Sequence, residues 1–224
     1  MDIETSPPAR LRRSASEPTL RRLPTYRRFL EQLHHQGRAF VSCTHIAADL
    51  GLDPTQVRKD LAATGIVGKP KVGYQVPMLI AAIDSFLGWD NATEAFLVGA
   101  GSLGTALIGY EGFREHGLNV IAAFDVDESK IGEKVRGRAV MPLFKLPNLA
   151  QRMHIHLGII TTPAESAQQA ADLMIEGGIR AIWNFAPVTL KVPRSVIVEN
   201  VQLASSLAVL SSKLRSVLRQ AETE

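Results

Sequence analysis

The chain of 224 residues contains a single cysteine, Cys43, so no disulfide can form within it. So few cysteines are what a reducing cytosol favours, and we expect a cytoplasmic protein. No apolar run approaches the roughly 20 residues that a transmembrane helix requires, and we expect no membrane span. The first residues are polar and arginine-rich, without the hydrophobic segment of a secretory signal.

Histidines are few and lack metal-ligand spacing. His34 and His35 stand together near the end of a predicted helix, and no further ligand follows at a zinc-like interval. We expect them to be solvated helix-end residues, and we predict no metal site.

The net charge of +3 is divided unevenly along the chain. Residues 1–75 carry 12 Lys and Arg against 7 Asp and Glu, whereas the rest of the chain carries 13 against 15. A basic front on a slightly acidic body suggests a polyanion-binding module joined to a separate domain. A basic disordered tail alone would give a similar distribution. Residues 1–18 are predicted to be such a tail, because they combine prolines and arginines with little to bury.

Helical periodicity begins at Pro24, which suits a first helical turn, and Gly37 closes this helix. Two short helices are predicted next, over about Thr44–Leu50 and Pro54–Thr64, and Asp53 caps the second. The second helix has polar and basic residues on its outer face, as in a helix-turn-helix that binds DNA. An ordinary helical hairpin with a charged solvent face fits this segment equally well.

The segment from Gly65 to Val76 alternates short β-like runs with glycine and proline turns, which predicts a β-hairpin wing. Lys69 and Lys71 at its tip would reach a phosphate backbone or the minor groove. The wing makes DNA binding the favoured interpretation of the front of the chain. A further helix is predicted from Pro77 to about Leu87, before a linker that starts at Gly88.

Three glycines at the spacing G-x-G-x-x-G follow an apolar run: Gly99, Gly101 and Gly104. The first lets the chain turn sharply off a strand, the second lets a pyrophosphate approach the backbone, and the third lets the next helix pack closely. A second apolar run ends at Asp125, about 20 residues on, where a carboxylate would bind the ribose 2′-hydroxyl of NAD. A plain structural turn has the same spacing, but the flanking strand and helix favour dinucleotide binding.

Strands and helices alternate from Thr93 onward. Strands are predicted near 95–98, 119–125, 155–161, 180–185 and 196–201, with helices near 103–116, 142–152 and 164–177. This order predicts a parallel sheet with helices on both faces, which binds ligands at the carboxyl ends of its strands. The runs Thr161–Pro163 and Asn184–Pro187 should therefore border the nicotinamide half of the cofactor. Each also fits an ordinary Asx or Ser/Thr turn before a proline.

The last segment, from Leu203 to about Gln220, is predicted to be a long helix with an apolar stripe. The stripe comprises Leu203, Leu207, Leu210, Leu214, Val217 and Leu218. Since no further strand follows, the stripe needs another surface, which a second subunit would supply.

The chain resembles the Rex family of redox-sensing transcriptional repressors from about Thr19 to Leu218. Six motifs in one order carry the resemblance: Leu20-Arg21-Arg22-Leu23-Pro24-x-Tyr26, Gln56-Val57-Arg58-Lys59-Asp60-Leu61, Val72-Gly73-Tyr74, Val98-Gly99-Ala100-Gly101-x-Leu103-Gly104, Phe124-Asp125-Val126-Asp127 and Asn184-Phe185-Ala186-Pro187. We expect an α/β fold with an N-terminal winged helix-turn-helix domain (19–88). A Rossmann-like parallel-sheet domain (89–201) and a C-terminal dimerisation helix (202–224) would follow.

The resemblance also implies a function. Family members are homodimers that bind palindromic operator DNA; NADH releases them, whereas NAD⁺ competes and permits binding. Their terminal helix is exchanged between subunits. The candidate DNA contacts are Ser42, Thr55, Gln56, Arg58, Lys59, Lys69, Lys71 and Tyr74. The candidate NADH and NAD⁺ contacts are Gly99, Ala100, Gly101, Ser102, Leu103, Gly104, Asp125, Val126, Lys130, Thr161, Thr162, Pro163, Asn184, Phe185, Ala186 and Pro187.

Some family members couple their domains through an arginine in the first helix, a tyrosine after the glycine loop and an acid near the start of the terminal helix. Arg28 and Tyr110 match the first two positions. Gln202 stands where the acid is expected, so a neutral hydrogen bond would replace an ionic latch.

An NAD-dependent dehydrogenase with an N-terminal oligomerisation domain is the alternative function. Such an enzyme needs a general acid or base near the nicotinamide. His154 and His156 are the only late histidines, and they lie before or within a strand, away from its carboxyl end. A metabolic subunit without DNA contact would leave the basic helix and wing unexplained. We therefore expect no enzymatic activity and assign no catalytic residue.

Overall fold

The computed structural model describes residues 15–221, which belong to two compact units that divide between Asn91 and Ala92. Most of the tail predicted over residues 1–18 lies outside the described residues. Within the described part of the chain, none of the helices is long and apolar enough to cross a lipid bilayer.

The first unit is a helical domain with a small antiparallel sheet. Its elements are α1 (Glu17–His35), β1 (Phe40–Val41), α2 (Cys43–Leu50), α3 (Pro54–Ala63), β2 (Tyr74–Gln75) and α4 (Val76–Leu87). The helices meet around one apolar cluster that includes Leu30, Ile46, Val57, Leu61 and Ile83. The two short helices predicted for a helix-turn-helix are confirmed as α2 and α3, and Asp53 caps α3 through the N–H groups of Thr55 and Gln56.

Helix α1 begins at Glu17, so the prediction that it starts at Pro24 is wrong, and residues 17 and 18 do not belong to a tail. Ser16 caps the helix by accepting from the N–H of Thr19, with Pro18 in the first turn. Pro24 lies inside the helix, where it costs a backbone hydrogen bond. Burial of the neighbouring side chains of Leu23 and Tyr26 on the inner face compensates for the lost hydrogen bond.

The wing is smaller than the predicted hairpin. Lys69 and Gly73 form one antiparallel bridge, with N–H to O distances of 2.8 and 2.9 Å between them. Strand β2, which follows the bridge, pairs with β1 in the register Phe40 to Gln75 rather than with the start of the segment. Lys69 and Lys71 are both exposed on this compact turn, as predicted.

The second unit is built on a seven-stranded sheet in the order β5-β6-β4-β3-β7-β8-β9. Neighbouring strands are parallel except for the antiparallel pair β5–β6. The strands are β3 (Thr93–Val98), β4 (Leu118–Asp125), β5 (Lys134–Val135), β6 (Arg138–Pro142), β7 (Leu157–Ile160), β8 (Ala181–Asn184) and β9 (Ile197–Asn200). The helices are α5 (Ser102–Ile108), α6 (Gly112–Glu115), α7 (Leu146–Met153), α8 (Ala164–Glu176) and α9 (Leu203–Ala221).

The five predicted strands of this unit are confirmed within a few residues, but the segments between them differ in three places. The single helix predicted over 103–116 is two helices, because the first ends at Gly109. The helix predicted over 142–152 is a 3-10 turn, Leu143–Lys145, followed by α7. The hairpin β5–β6 was not predicted; Arg136 and Gly137 close it, both with positive φ.

Alternate residues of the central strands pack on opposite faces of the sheet. Phe96 and Phe124 belong to the cluster on one face, and Leu97 and Ala123 belong to the cluster on the other. Helix α9 is long, as predicted, and five residues of its stripe are exposed to solvent. Leu207, Leu210, Leu214, Val217 and Leu218 are each 55–64% exposed.

Candidate functional site

A cavity of about 490 Å³ opens at the carboxyl ends of β3, β4 and β7, beside the loop after β8. Parallel strands end at one edge of a sheet, so the loops that follow them converge there. The predicted cofactor residues that line it are Gly99, Gly101, Leu103, Asp125, Val126, Lys130, Thr161, Thr162, Pro163, Phe185 and Pro187. We call this cavity the cofactor cleft.

The glycine loop is held tightly against the strands. Gly99 has a φ of +103°, which L side chains rarely adopt. A Cβ on Gly104 would lie 1.9 Å from the carbonyl oxygen of Gly99, so only glycine lets α5 pack this closely. Gly101, by contrast, faces open space, since an added Cβ would meet no atom of the described residues within 4 Å.

Asp125 connects the end of β4 to the glycine loop. Its Oδ2 accepts the N–H of Ala100 at 2.8 Å, and its Oδ1 accepts the N–H groups of Val126 and Asp127 at 2.8 and 3.0 Å. The residue is buried, and burial opposes ionisation. The backbone N–H donors and the charge of Lys130 outweigh that penalty and lower the pKa of Asp125 below its ordinary value.

Lys130 contacts two carboxylates at the rim of the cleft. Its Nζ lies 3.4 Å from Asp125 Oδ2 and 3.2 Å from Asp127 Oδ2. The hydrogen bond to Asp127 and the charge of Asp125 raise the pKa of Lys130, so the ammonium stays charged. Asp125 is therefore an ionised, oriented acceptor whose longest contact is the one to Lys130.

The two threonines after β7 behave differently. Thr161 donates its hydroxyl to the backbone oxygens of Val98 and Gly99, at 3.0 and 2.7 Å, and so supports the loop. Thr162 Oγ1 is buried and has no hydrogen-bond partner among the residues that the structure describes. A buried hydroxyl without a partner is costly, and a polar ligand in the cleft would satisfy it.

These features fit a dinucleotide. Gly101 leaves space for a pyrophosphate, Asp125 presents an ionised acceptor for a ribose hydroxyl, and Thr162 offers an unsatisfied hydroxyl. The apolar side chains of Leu103, Val126 and Phe185 supply flat contact area for rings.

The other predicted cofactor residues support the cleft from outside its lining. Ala100 is buried in the loop, Gly104 is buried in α5, and Ser102 is exposed at the start of α5. Asn184 is fully buried, and its Nδ2 donates to the oxygens of Ala186, Val188 and Asn200. It therefore fixes the loop that carries Phe185 and Pro187. The structure adds lining residues that the sequence analysis missed: Val98, Leu143, Ser166, Gln169 and Ala170.

The first unit presents a basic surface on α3 and the wing. Thr55, Arg58 and Lys59 are exposed along α3, and Lys69 and Lys71 are exposed on the turn. We call these five residues the basic face.

The remaining predicted DNA contacts have structural partners. Ser42 caps α2 by accepting from the N–H of His45. The ring of Tyr74 is half-buried beside Gly68, where an added Cβ would lie 3.1 Å from it. Gln56 donates inward to Asp60.

Asp60 fixes α3 against α1, a role that was not predicted from the sequence. Its carboxylate accepts from Thr19 Oγ1 at 2.9 Å, Tyr26 Oη at 2.8 Å and Gln56 Nε2 at 2.9 Å, and from Arg22 through two nitrogens. Asp60 is only 1% exposed. Burial opposes its ionisation, but Arg22 and the three other donors lower its pKa below the ordinary value.

The three predicted coupling residues are distributed over both units. Arg28 is exposed on α1 in the first unit, and Tyr110 is 58% exposed after α5 in the second. Gln202 directly precedes α9, and its Oε1 accepts from Ser205 Oγ in the first turn of that helix at 2.9 Å. Tyr110 lies over Gly112 and packs edge-on against Phe113.

No histidine is among the described residues that line the cleft. His154 ends α7, and His156 directly precedes β7, at the amino end of that strand. Within residues 15–221 the structure shows no group of three or more His, Cys, Asp and Glu side chains arranged to hold a metal ion.

Comparison with known proteins identifies both units. Residues 15–62 match the family model described as "Putative DNA-binding protein N-terminus", and residues 90–188 match the one described as "CoA binding domain". The chain is 47% identical over 193 residues to the redox-sensing transcriptional repressor Rex of Treponema denticola, covering 86% of this chain and 92% of that protein. It is 42% identical over 199 residues to the Rex of Carboxydothermus hydrogenoformans, covering 89% and 96%.

Solved structures agree with the sequence relatives. A crystal structure of RSP in complex with β-NAD⁺ and operator DNA superposes with a TM-score of 0.86 at 35% identity, covering 94% of this chain and 98% of that chain. RSP in complex with β-NADH gives a TM-score of 0.83 at 34% identity, covering 94% and 99%. The chain therefore belongs to the Rex family of redox-sensing transcriptional repressors.

Proposed function

We propose that the chain is a repressor that binds operator DNA as a homodimer and leaves it when NADH binds, so that it responds to the NADH/NAD⁺ ratio. The observation that supports this proposal most directly is the match, over nearly the whole chain, to a repressor solved with both NAD⁺ and operator DNA. Both structural requirements, a basic face and a cofactor cleft, are present in separate units.

The cofactor is held by the cleft residues. The space at Gly101 and the N–H groups at the start of α5 receive the pyrophosphate, and Asp125 receives the adenosine ribose. Asp125 would accept a hydrogen bond from a hydroxyl of that ribose, since its contact with Lys130, at 3.4 Å, is the longest that it makes. Oxidised and reduced nicotinamide differ by a hydride and therefore by one positive charge, which is the difference a sensor detects.

The basic face binds the duplex. Arg58 reads a base edge from α3, whereas Lys69 and Lys71 contact phosphates from the wing. The other candidate DNA contacts bind the sugar-phosphate backbone of the DNA or hold the basic face in position. They are Ser42, Thr55, Gln56, Lys59 and Tyr74. We take residues 19–88 as the DNA-binding domain and residues 89–201 as the cofactor-binding domain.

The homodimer forms through α9, the segment 202–224 in the proposed division. Its exposed leucines are a long apolar stripe that a second copy of the same helix region covers. Two subunits place two copies of α3 on the two halves of a palindromic operator. Arg28, Tyr110 and Gln202 then connect the domains and subunits. We infer that the dimer acts in the cytoplasm, without a membrane or metal partner.

We infer that the cleft senses the cofactor rather than catalysing a reaction. The relatives are regulators. The described residues that line the cleft include no histidine or tyrosine, and the two that could exchange a proton, Asp125 and Lys130, are paired with each other at 3.4 Å. His154 and His156 lie at the opposite end of β7.

The experiment is a gel shift of the full chain on a pool of random duplexes, with NADH, NAD⁺, coenzyme A or no addition. We expect a selected palindromic duplex that NADH alone releases. Uniform binding of all duplexes, or release by coenzyme A but not by NADH, would contradict the proposal.

A further inference from the structure

A continuous row of aromatic rings joins the cofactor cleft to Tyr110. The ring of Phe185, which lines the cleft, lies 4.9 Å from that of Trp183. Trp183 lies 5.3 Å from Phe113, and Phe113 lies 4.9 Å from Tyr110. All three centroid distances fall in the range of about 4.5–7 Å at which aromatic pairs attract.

The row follows from the fold of the second unit. Trp183 and Phe185 are two residues apart at the end of β8, so their side chains lie on one face of the sheet. Phe113 reaches that face because α5 ends at Gly109 and α6 starts a new direction at Gly112. The break between these helices therefore brings Tyr110 and Phe113 to the row.

The orientation of Tyr110 depends on two neighbours. Phe113 meets its ring edge-on at an interplanar angle of 81°. Gly112 lies beneath it, and a Cβ there would come within 2.7–2.8 Å of the far atoms of the ring, including Oη. Although Tyr110 is 58% exposed, Phe113 therefore contacts one side of its ring, and the other side occupies space that only a glycine at position 112 leaves open.

We propose that Gly112, Phe113 and Trp183 are positioning residues for the NADH response: they hold Tyr110 in an orientation that depends on Phe185 at the cofactor cleft. This inference rests on the proposed function. A bound cofactor that shifts Phe185 would displace Trp183 and Phe113, because each ring of the row contacts the next. Tyr110 then changes its orientation at the surface, where the coupling residues act.

The test separates coupling from affinity. Three quantities are measured for each full-length variant: the Kd for operator DNA alone, the Kd for NADH alone, and the factor by which saturating NADH weakens operator binding. Gly112→Ala moves the tyrosine without touching the cleft, and Trp183→Leu breaks the row. Trp183→Phe retains a ring, and Phe144→Leu removes an exposed aromatic ring outside the row as a matched control.

We expect Gly112→Ala and Trp183→Leu to keep both Kd values within about twofold and to lose about 2- to 30-fold of the NADH effect on operator binding. Trp183→Phe and Phe144→Leu should respond like the unmodified chain. Full responses from Gly112→Ala and Trp183→Leu would overturn the inference, as would responses that fall only in proportion to weaker NADH binding. If the unmodified chain itself fails to respond to NADH, the proposed function is wrong instead.

Discussion

Arg22 holds Asp60 with two hydrogen bonds, from Nε to Oδ2 at 2.7 Å and from Nη2 to Oδ1 at 2.9 Å. The pair joins the first turns of α1 to the last turns of α3, the helix that carries Arg58 and Lys59. Bidentate geometry fixes direction as well as distance. The orientation of α3, which carries Arg58 and Lys59 of the basic face, therefore depends on one buried carboxylate.

Removing that charge should destabilise the first unit. Asp60→Asn leaves the Arg22 guanidinium without its counter-charge. It also replaces one carboxylate oxygen with an amide nitrogen, which cannot accept the hydrogen bonds that the oxygen accepted. We expect the free energy of unfolding to fall by about 3 kcal/mol, the low end for a broken buried pair because Arg22 is partly exposed. Urea unfolding followed by Trp89 fluorescence, in a Trp183→Phe background, reports on this unit.

Asp49→Asn is the matched control, because Asp49 is an exposed carboxylate paired with His45, and we expect a loss below about 1 kcal/mol. The pH dependence adds a second check. The pKa of Asp60 is lowered in the folded chain, so its contribution is complete above the unfolded pKa of about 4 and is lost as pH falls through the lower, folded pKa. The stability gap between unmodified chain and Asp60→Asn should narrow only below about pH 4; a constant gap contradicts this explanation.

Asp125 should select NAD(H) over NADP(H), since a 2′-phosphate would meet an ionised carboxylate. Asp125→Asn keeps the size of the side chain but weakens NADH binding and narrows the preference between NADH and NADPH. Glu128→Gln, at an exposed neighbour outside the cleft lining, serves as the control and should retain the preference. The measurement is a fluorescence titration with each nucleotide. Equal binding of NADH and NADPH by the unmodified chain would show the assignment to be wrong.

Arg58 and Lys71 should contribute differently to DNA binding. We expect Arg58→Ala to cost about 1–3 kcal/mol on the operator and to relax base preference, as for one bidentate base contact. Lys71→Ala should weaken binding similarly on all sequences and reduce the salt slope by about one unit. Salt titrations on operator and scrambled duplexes measure both, with Lys134→Ala of the second unit as control. Identical, sequence-independent losses for Arg58→Ala and Lys71→Ala would contradict the division of roles.

The apolar stripe of α9 should carry the dimer. Truncation before Leu203 removes the apolar stripe, and the double substitution Leu210→Glu and Leu214→Glu makes it polar. Either change should prevent α9 from packing on the partner subunit and should give monomers. Analytical ultracentrifugation measures the state, and Ser211→Glu on the same helix is the control for added charge. Since two half-sites need two subunits, monomers should also lose the NADH response on operator DNA. A truncated chain that remains dimeric would exclude α9 as the dimer contact.

The cleft was predictable where local sequence dictates geometry. The glycine spacing and the strand ends located Gly99, Gly104, Asp125 and Thr161, because parallel strands end at one edge. Leu143, Ser166 and Gln169 were missed since they come from a 3-10 turn and the flank of α8. Their approach to the cleft depends on how these elements pack, which periodicity does not describe.

The contacts of Asp60 with α1 could not be predicted from the sequence. Asp60 lies three residues after the buried Val57, so helical spacing does place it on the inner face. Thr19, Arg22 and Tyr26 also share one face of α1. The signal was available on each helix, but nothing in either pattern pairs residues 34 to 41 positions apart.

We expect NADH to favour an arrangement of the dimer that does not bind the operator, rather than to block the basic face. The glycine loop and α3 belong to different units, so direct competition at one surface is not expected. A shift of the population from 1:99 to 99:1 requires about 5.5 kcal/mol of differential affinity.

Linkage gives the most direct measurement: the Kd for NADH is determined for the free protein and for the protein saturated with operator. Operator DNA must weaken NADH binding by the same factor as NADH weakens operator binding. We expect equal factors, of about 5-fold or more. An unchanged Kd for NADH on the operator-bound protein would contradict the claim.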